Sequence, residues 1–111
     1  MPGKYEIKRA KNGEYYFNLK AGNGQIILTS ETYKAKSGAT NGVESVKKNS
    51  ALQDRYEHRV SPGGKFFFVL KAANHEVIGR SEMYDSEESR DNGIQSVKTN
   101  GPSATVADLA E

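Results

Sequence analysis

Histidines, paired acids and glycine-rich turns are the residues of this chain with the chemistry for catalysis or phosphate binding, and their spacing argues against both. There are two histidines, His58 and His75, and a hydrolase triad needs one to take the nucleophile's proton. His58 falls in a strand-like stretch, aligned with Ile7 on its apolar side, and His75 in a turn, and a partly buried or edge histidine is the expectation for His58. Glu87-Glu88 follow Asp85-Ser86 in the order of a capping box, with Asp85 set to accept the amide three residues on, so capping explains them better than acid–base catalysis. Gly22-Asn23-Gly24 joins two strands, whereas a phosphate-cradling loop leads from a strand into a helix. No His/Asp/Glu cluster has metal-ligand spacing. The absence of Cys removes thiolate sites, disulfides and cysteine nucleophiles. No catalytic residue, cofactor or metal is expected, and the chain reads as a non-enzyme.

A second constellation is aromatic and basic. Tyr15, Phe17 and Leu19 alternate with Tyr16, Asn18 and Lys20, and Phe66, Phe68 and Leu70 alternate with Phe67, Val69 and Lys71. In a strand, alternate side chains point to opposite faces. If helices cover the first set, then Tyr16, Lys20, Phe67 and Lys71 form a candidate binding surface on the other face. An exposed aromatic beside cations is a platform for a planar ligand or base, and equally a contact for a protein partner.

The elements that position these residues come as a tandem repeat. A shift of 51 positions lays Lys4–Ser50 on Arg55–Gly101 without a gap, and 18 of the 47 pairs are identical. Each copy reads as three strands and a helix. Strand one is Lys4–Arg9, with Tyr5 and Ile7 alternating against Glu6 and Lys8. Asn12-Gly13 turns the chain into strand two, Glu14–Ala21, and Gly22-Asn23-Gly24 turns it into strand three, around Gln25–Ser30 and again around Glu76–Ser81. Ala35, Ala39, Val43 and Val46 recur at helical spacing, matched by Ile94 and Val97. Asn41-Gly42 and Asn92-Gly93 therefore fall inside helices, and a glycine there, worth about 1 kcal/mol against Ala, signals close helix–sheet contact. The fold class is α+β: two β-β-β-α units, an antiparallel sheet with both helices on one face, and a pseudo-twofold axis. Residues 1–101 form a single domain of two repeats, 4–50 and 55–101. Pro102–Glu111 lack periodicity and read as a flexible C-terminal tail.

The run Phe17-x-Leu19-Lys20-Ala21-x-Asn23-Gly24, then Ser30-Glu31-x-Tyr33, then Asn41-Gly42-Val43-x-Ser45-Val46-x-x-Asn49, with its second copy from Phe68 to Val97, resembles the YegP-like family (uncharacterised protein family 0339, domain of unknown function 1508). His75 departs from the pattern where the first copy has Gly24. The resemblance covers residues 4 to 101. It implies an α+β fold and a bacterial cytoplasmic setting, and carries over no activity.

Charge completes the reading. Residues 1–51 carry 9 Lys+Arg and 4 Asp+Glu, and residues 52–111 carry 7 and 10. A basic first repeat suits phosphates, but the acidic second repeat repels the same polyanion. A non-enzymatic interaction or ligand-binding module is therefore the leading expectation, with nucleic-acid binding by the basic first repeat as the alternative. Polar residues identical in both copies (Lys20/Lys71, Ser30/Ser81, Glu31/Glu82, Ser45/Ser96) are its evidence, and hydrogen bonds internal to each unit are the competing explanation. No apolar run approaches a membrane span and no secretory h-region is visible. A monomer with an internal pseudo-dimer is expected.

Overall fold

The computed structural model describes residues 3–110; Met1 and Pro2 of the expected domain and Glu111 of the expected tail lie outside it. Along the chain run β1 (Lys4–Arg9), β2 (Tyr15–Lys20), β3 (Ile26–Thr29), α1 (Lys36–Asn49), a 3-10 turn at Gln53–Arg55, β4 (Tyr56–Val60), β5 (Phe66–Lys71), β6 (Val77–Arg80), α2 (Glu87–Asn100) and β7 (Thr105–Asp108). The strands form one sheet in the order β4-β5-β6-β3-β2-β1-β7. Alternation in β1, β2 and β5 sends Tyr5, Ile7, Phe17, Leu19, Phe68 and Leu70 to one face, where they bury against Ala39, Val43 and Val46 of α1 and Ile94 and Val97 of α2. Both helices lie on that face, and no helix among the described residues is long and apolar enough to cross a membrane.

Each mid-helix glycine admits an aromatic. A Cβ on Gly42 would sit 2.7 Å from the Tyr33 hydroxyl and 2.9 Å from Phe17, and one on Gly93 would sit 2.5 Å from the Tyr84 hydroxyl. Tyr33 and Tyr84 are fixed in turn by reciprocal backbone bonds to Tyr15 and Phe66. This is the close helix–sheet contact expected from Asn-Gly within each helix.

Two expectations need correcting. The α2 N-cap is Ser86, whose hydroxyl accepts from the Ser89 amide, while Asp85 turns outward to pair with Lys65. The larger correction concerns the tail. Thr105–Asp108 add a strand parallel to β1, so the sheet is mixed rather than antiparallel throughout. The Thr105 amide donates to the Gly3 carbonyl at 3.3 Å and the Leu109 amide to the Ile7 carbonyl at 2.9 Å. Ala104 is buried, Ala110 packs against the core, and Lys36 reaches Asp108 at 3.0 Å. Backbone pairing needs no apolar periodicity, and Val106 and Leu109 remain exposed.

The pseudo-twofold axis shows where the repeats had to become unlike. Thr29 pairs with Arg80, its equivalent 51 residues on. Leu28 lies against its equivalent Gly79, where a Cβ would come within 2.7 Å of the leucine side chain. Ser50 lies against its equivalent Gly101, where a Cβ would come within 2.7 Å of the serine Cβ. At two positions on the axis one copy keeps a side chain and the other gives it up. The helices also cross between units, α1 reaching β6 and α2 reaching β3.

Candidate functional site

The helix-free face of the sheet is built by one register. A single row of paired residues crosses all seven strands: Glu57, Val69, Arg80, Thr29, Asn18, Glu6 and Ala107. Flanking rows on the same face hold Lys4 beside Lys20, Lys8 beside Tyr16, and Arg59 beside Phe67. All four residues expected on this face are there, but they do not form one site. Tyr16 and Phe67 sit on strands three spacings apart and on opposite sides of the central row, about 20 Å from each other.

Nor are they free. Phe67 is 9% exposed, with the Arg80 guanidinium 6.0 Å from its ring centroid, and Tyr16 is half-buried. Val69 and Asn18 are buried too, and Asn18 accepts from the Thr29 hydroxyl at 2.9 Å. The exposed platform expected at Phe67 is thereby corrected, since the Arg80 side chain lies over it, whereas Tyr16 keeps part of its surface in solvent. Lys20 and Lys71 each hold a carboxylate. Lys20 is 3.0 Å from Glu6, which Lys4 and Lys8 approach to 3.6 Å, and Lys71 pairs with Glu57 together with Arg59 at 2.6 Å. The result is the same in both repeats: one carboxylate ringed by cations. Six cations (Lys4, Lys8, Lys20, Arg59, Lys71, Arg80) share the face with Glu6 and Glu57. Among the described residues Arg80 has no carboxylate within ion-pair distance.

The ringed carboxylates make stability pH-dependent. The hydrogen bond from Lys20 holds the Glu6 carboxyl below its ordinary range, against the opposing effect of burial. Hydrogen bonds from Lys71 and then Arg59 push Glu57 down to about 2. A depressed folded-state pKa favours folding above the ordinary carboxylate value, about 4.3, and that contribution is lost as pH falls towards about 2. Urea melts are expected to weaken between pH 5 and pH 2, about the range spanned by these groups. Glu6→Gln should flatten this dependence; an unchanged pH profile would contradict the assignment.

Several of the other identical polar residues make hydrogen bonds internal to each unit. Ser30 and Ser81 accept from the Phe17 and Phe68 amides and donate to the carbonyls of Glu31 and Glu82. Asn49 and Asn100 bond the Ser45 and Ser96 carbonyls one turn back. Asn23 and Asn74 close the second turn of each unit by accepting from Gln25 and Glu76, and His75 takes the same left-handed conformation (φ 71°) as Gly24. His58 sits at the sheet edge, 48% exposed and 3.9 Å from Asp91. It lines a hollow with His75, Glu57 and Asp54, yet among the described residues no three His, Asp or Glu gather closely enough to hold a metal.

Known proteins bear on both fold and site. A family model described as "Domain of unknown function (DUF1508)" matches residues 10–57 and again 62–108. The second match runs through β7, so the segment expected to be a tail lies within the family's own unit. A UPF0339 protein of Acinetobacter baylyi is 62% identical and the YegP protein of Escherichia coli K12 is 50% identical; each alignment spans 97% or more of both chains. The solution NMR structure of a UPF0339 protein from Shewanella oneidensis superposes with a TM-score of 0.92 at 53% identity, over 99% of this chain and 93% of that one. The E. coli yegP structure gives 0.93 at 49%, over 99% and 95%.

Proposed function

The chain belongs to the family of the domain of unknown function 1508, and from that premise we propose that it is a non-enzymatic interaction module whose helix-free sheet face receives an anionic partner. One observation carries this reading. Six cations stand on one face of the sheet against two carboxylates, and among the described residues no helix covers them. Arg80 lies at the centre of that face, at the pseudo-twofold axis. The second repeat's surplus acid does not oppose them here, because Asp85, Glu87 and Glu88 cluster at the start of α2. Cations spread over β1, β2, β4, β5 and β6 suit an extended anionic macromolecule better than a small ligand, whose contacts converge in one concave site. The proposed setting is the bacterial cytoplasm, supported by the family resemblance and by bacterial relatives.

An anionic protein surface is the first reading of the partner. Nucleic acid is the second, favoured by cations that come from both repeats rather than from the first alone, and disfavoured by the burial of Phe67, which leaves little for a base to stack on. In-cell crosslinking followed by pull-down, with and without nuclease, separates them. Lys4→Glu with Arg80→Glu is expected to reduce recovery of the partner about tenfold while the chain keeps a cooperative melt, weakened somewhat because Arg80 lies over Phe67 and Lys4 approaches Glu6. Unchanged recovery would remove this face from consideration.

A further inference from the structure

The two ends of the sheet are finished differently. β1 is covered by β7, whereas among the described residues nothing pairs with the outer side of β4. In β1 the carbonyls of Gly3 and Ile7 turn outward to β7. Fifty-one residues on, by the repeat, the backbone groups of His58 and Val60 and the Tyr56 carbonyl turn outward from β4, while the Tyr56 amide is held by the Gln53 carbonyl. An unpaired edge is a template for another strand, and the sequence of this one is self-complementary.

We propose that β4 pairs antiparallel with β4 of a second copy, about a twofold axis through His58. In that register Tyr56, His58 and Val60 face Val60, His58 and Tyr56 of the second copy. The Tyr56 amides stay with the Gln53 carbonyls of their own chains, and the remaining outward groups exchange four hydrogen bonds, two between the His58 residues and one from each Val60 amide to a Tyr56 carbonyl. Val60, 60% exposed in the single chain, is covered by the second copy's Tyr56, an aromatic against a β-branched residue. On the helix-free face Glu57 comes opposite Arg59 and Arg59 opposite Glu57, in the closer, non-hydrogen-bonded pairs. Sliding either way by one hydrogen-bonded step sets Glu57 against Glu57 or Arg59 against Arg59, so charge alone selects the register. The axis differs from the internal pseudo-twofold, and the internal pseudo-dimer is untouched. Dimerisation joins two basic faces into one fourteen-stranded surface.

So small an interface gives a weak, concentration-dependent dimer. In sedimentation equilibrium of the full chain, the mean mass is expected to climb toward twice the monomer value as concentration rises from micromolar to millimolar. Glu57→Arg alone places Arg opposite Arg, and Arg59→Glu alone places Glu opposite Glu. Each variant should self-associate about tenfold more weakly. Mixed together, the two variants regain unlike pairs and should associate as strongly as the parent, while a cooperative melt of each variant, weakened by the lost Glu57 pairs with Arg59 and Lys71, confirms that each folds. A parent chain that stays monomeric throughout overturns the proposal. So does a dimer indifferent to both reversals, or a mixture that fails to recover.

Discussion

Residues 1–51 expressed alone are expected to show no cooperative melt, and residues 52–111 likewise, while an equimolar mixture recovers the helix and sheet signals of the whole chain. About fifty residues without disulfide or metal rarely bury a sufficient core. Here the core is also shared: α1 packs across β6 and α2 across β3, and the Tyr5 hydroxyl donates to the Gly101 carbonyl at 2.7 Å. Self-pairing offers no escape. Two first repeats would set Leu28 against Leu28 and Ser50 against Ser50, where the chain tolerates a side chain on one side alone. Two second repeats would set glycine against glycine at both places and leave voids, which cores tolerate poorly. Unlike repeats fit and like repeats do not. A monomeric melt of residues 1–51 resembling that of the full chain would contradict this.

Truncation after Gly101 is expected to cost about 2 kcal/mol, the net of lost strand bonds and alanine burial over the regained freedom of the segment. The loss strips β7 from β1 and removes the buried Ala104 and the Lys36–Asp108 pair. Urea melts of residues 1–101 and of the full chain measure the difference. A change below about 0.5 kcal/mol, the scale of exposed surface sites, would return the segment to a loose tail.

What could be read from residues alone was whatever is local or repeated. Six strands, both helices and the glycine inside each helix follow from period-two alternation, helical spacing and the 51-residue shift. β7 does not, because its attachment is backbone to backbone and its larger side chains face water. The burial of Phe67 also escapes such a reading, since Arg80 comes from β6 and the neighbour relation is set by tertiary register. The pairing of Lys20 with Glu6 and of Lys71 with Glu57 had a signal: both members of each pair are identical between the copies. So did the remaining cations, since Lys4 and Lys8 alternate with Tyr5 and Ile7 and must share the face of Lys20.

The central claim is that partners meet the helix-free face, and a photo-crosslinking residue placed one position at a time tests it most directly. Positions 4 and 80 lie on that face, and positions 40 and 48 lie on exposed parts of α1 on the other side. In living cells, positions 4 and 80 are expected to yield the same discrete adduct and positions 40 and 48 none. Adducts from the helix positions with none from 4 and 80 would contradict the account.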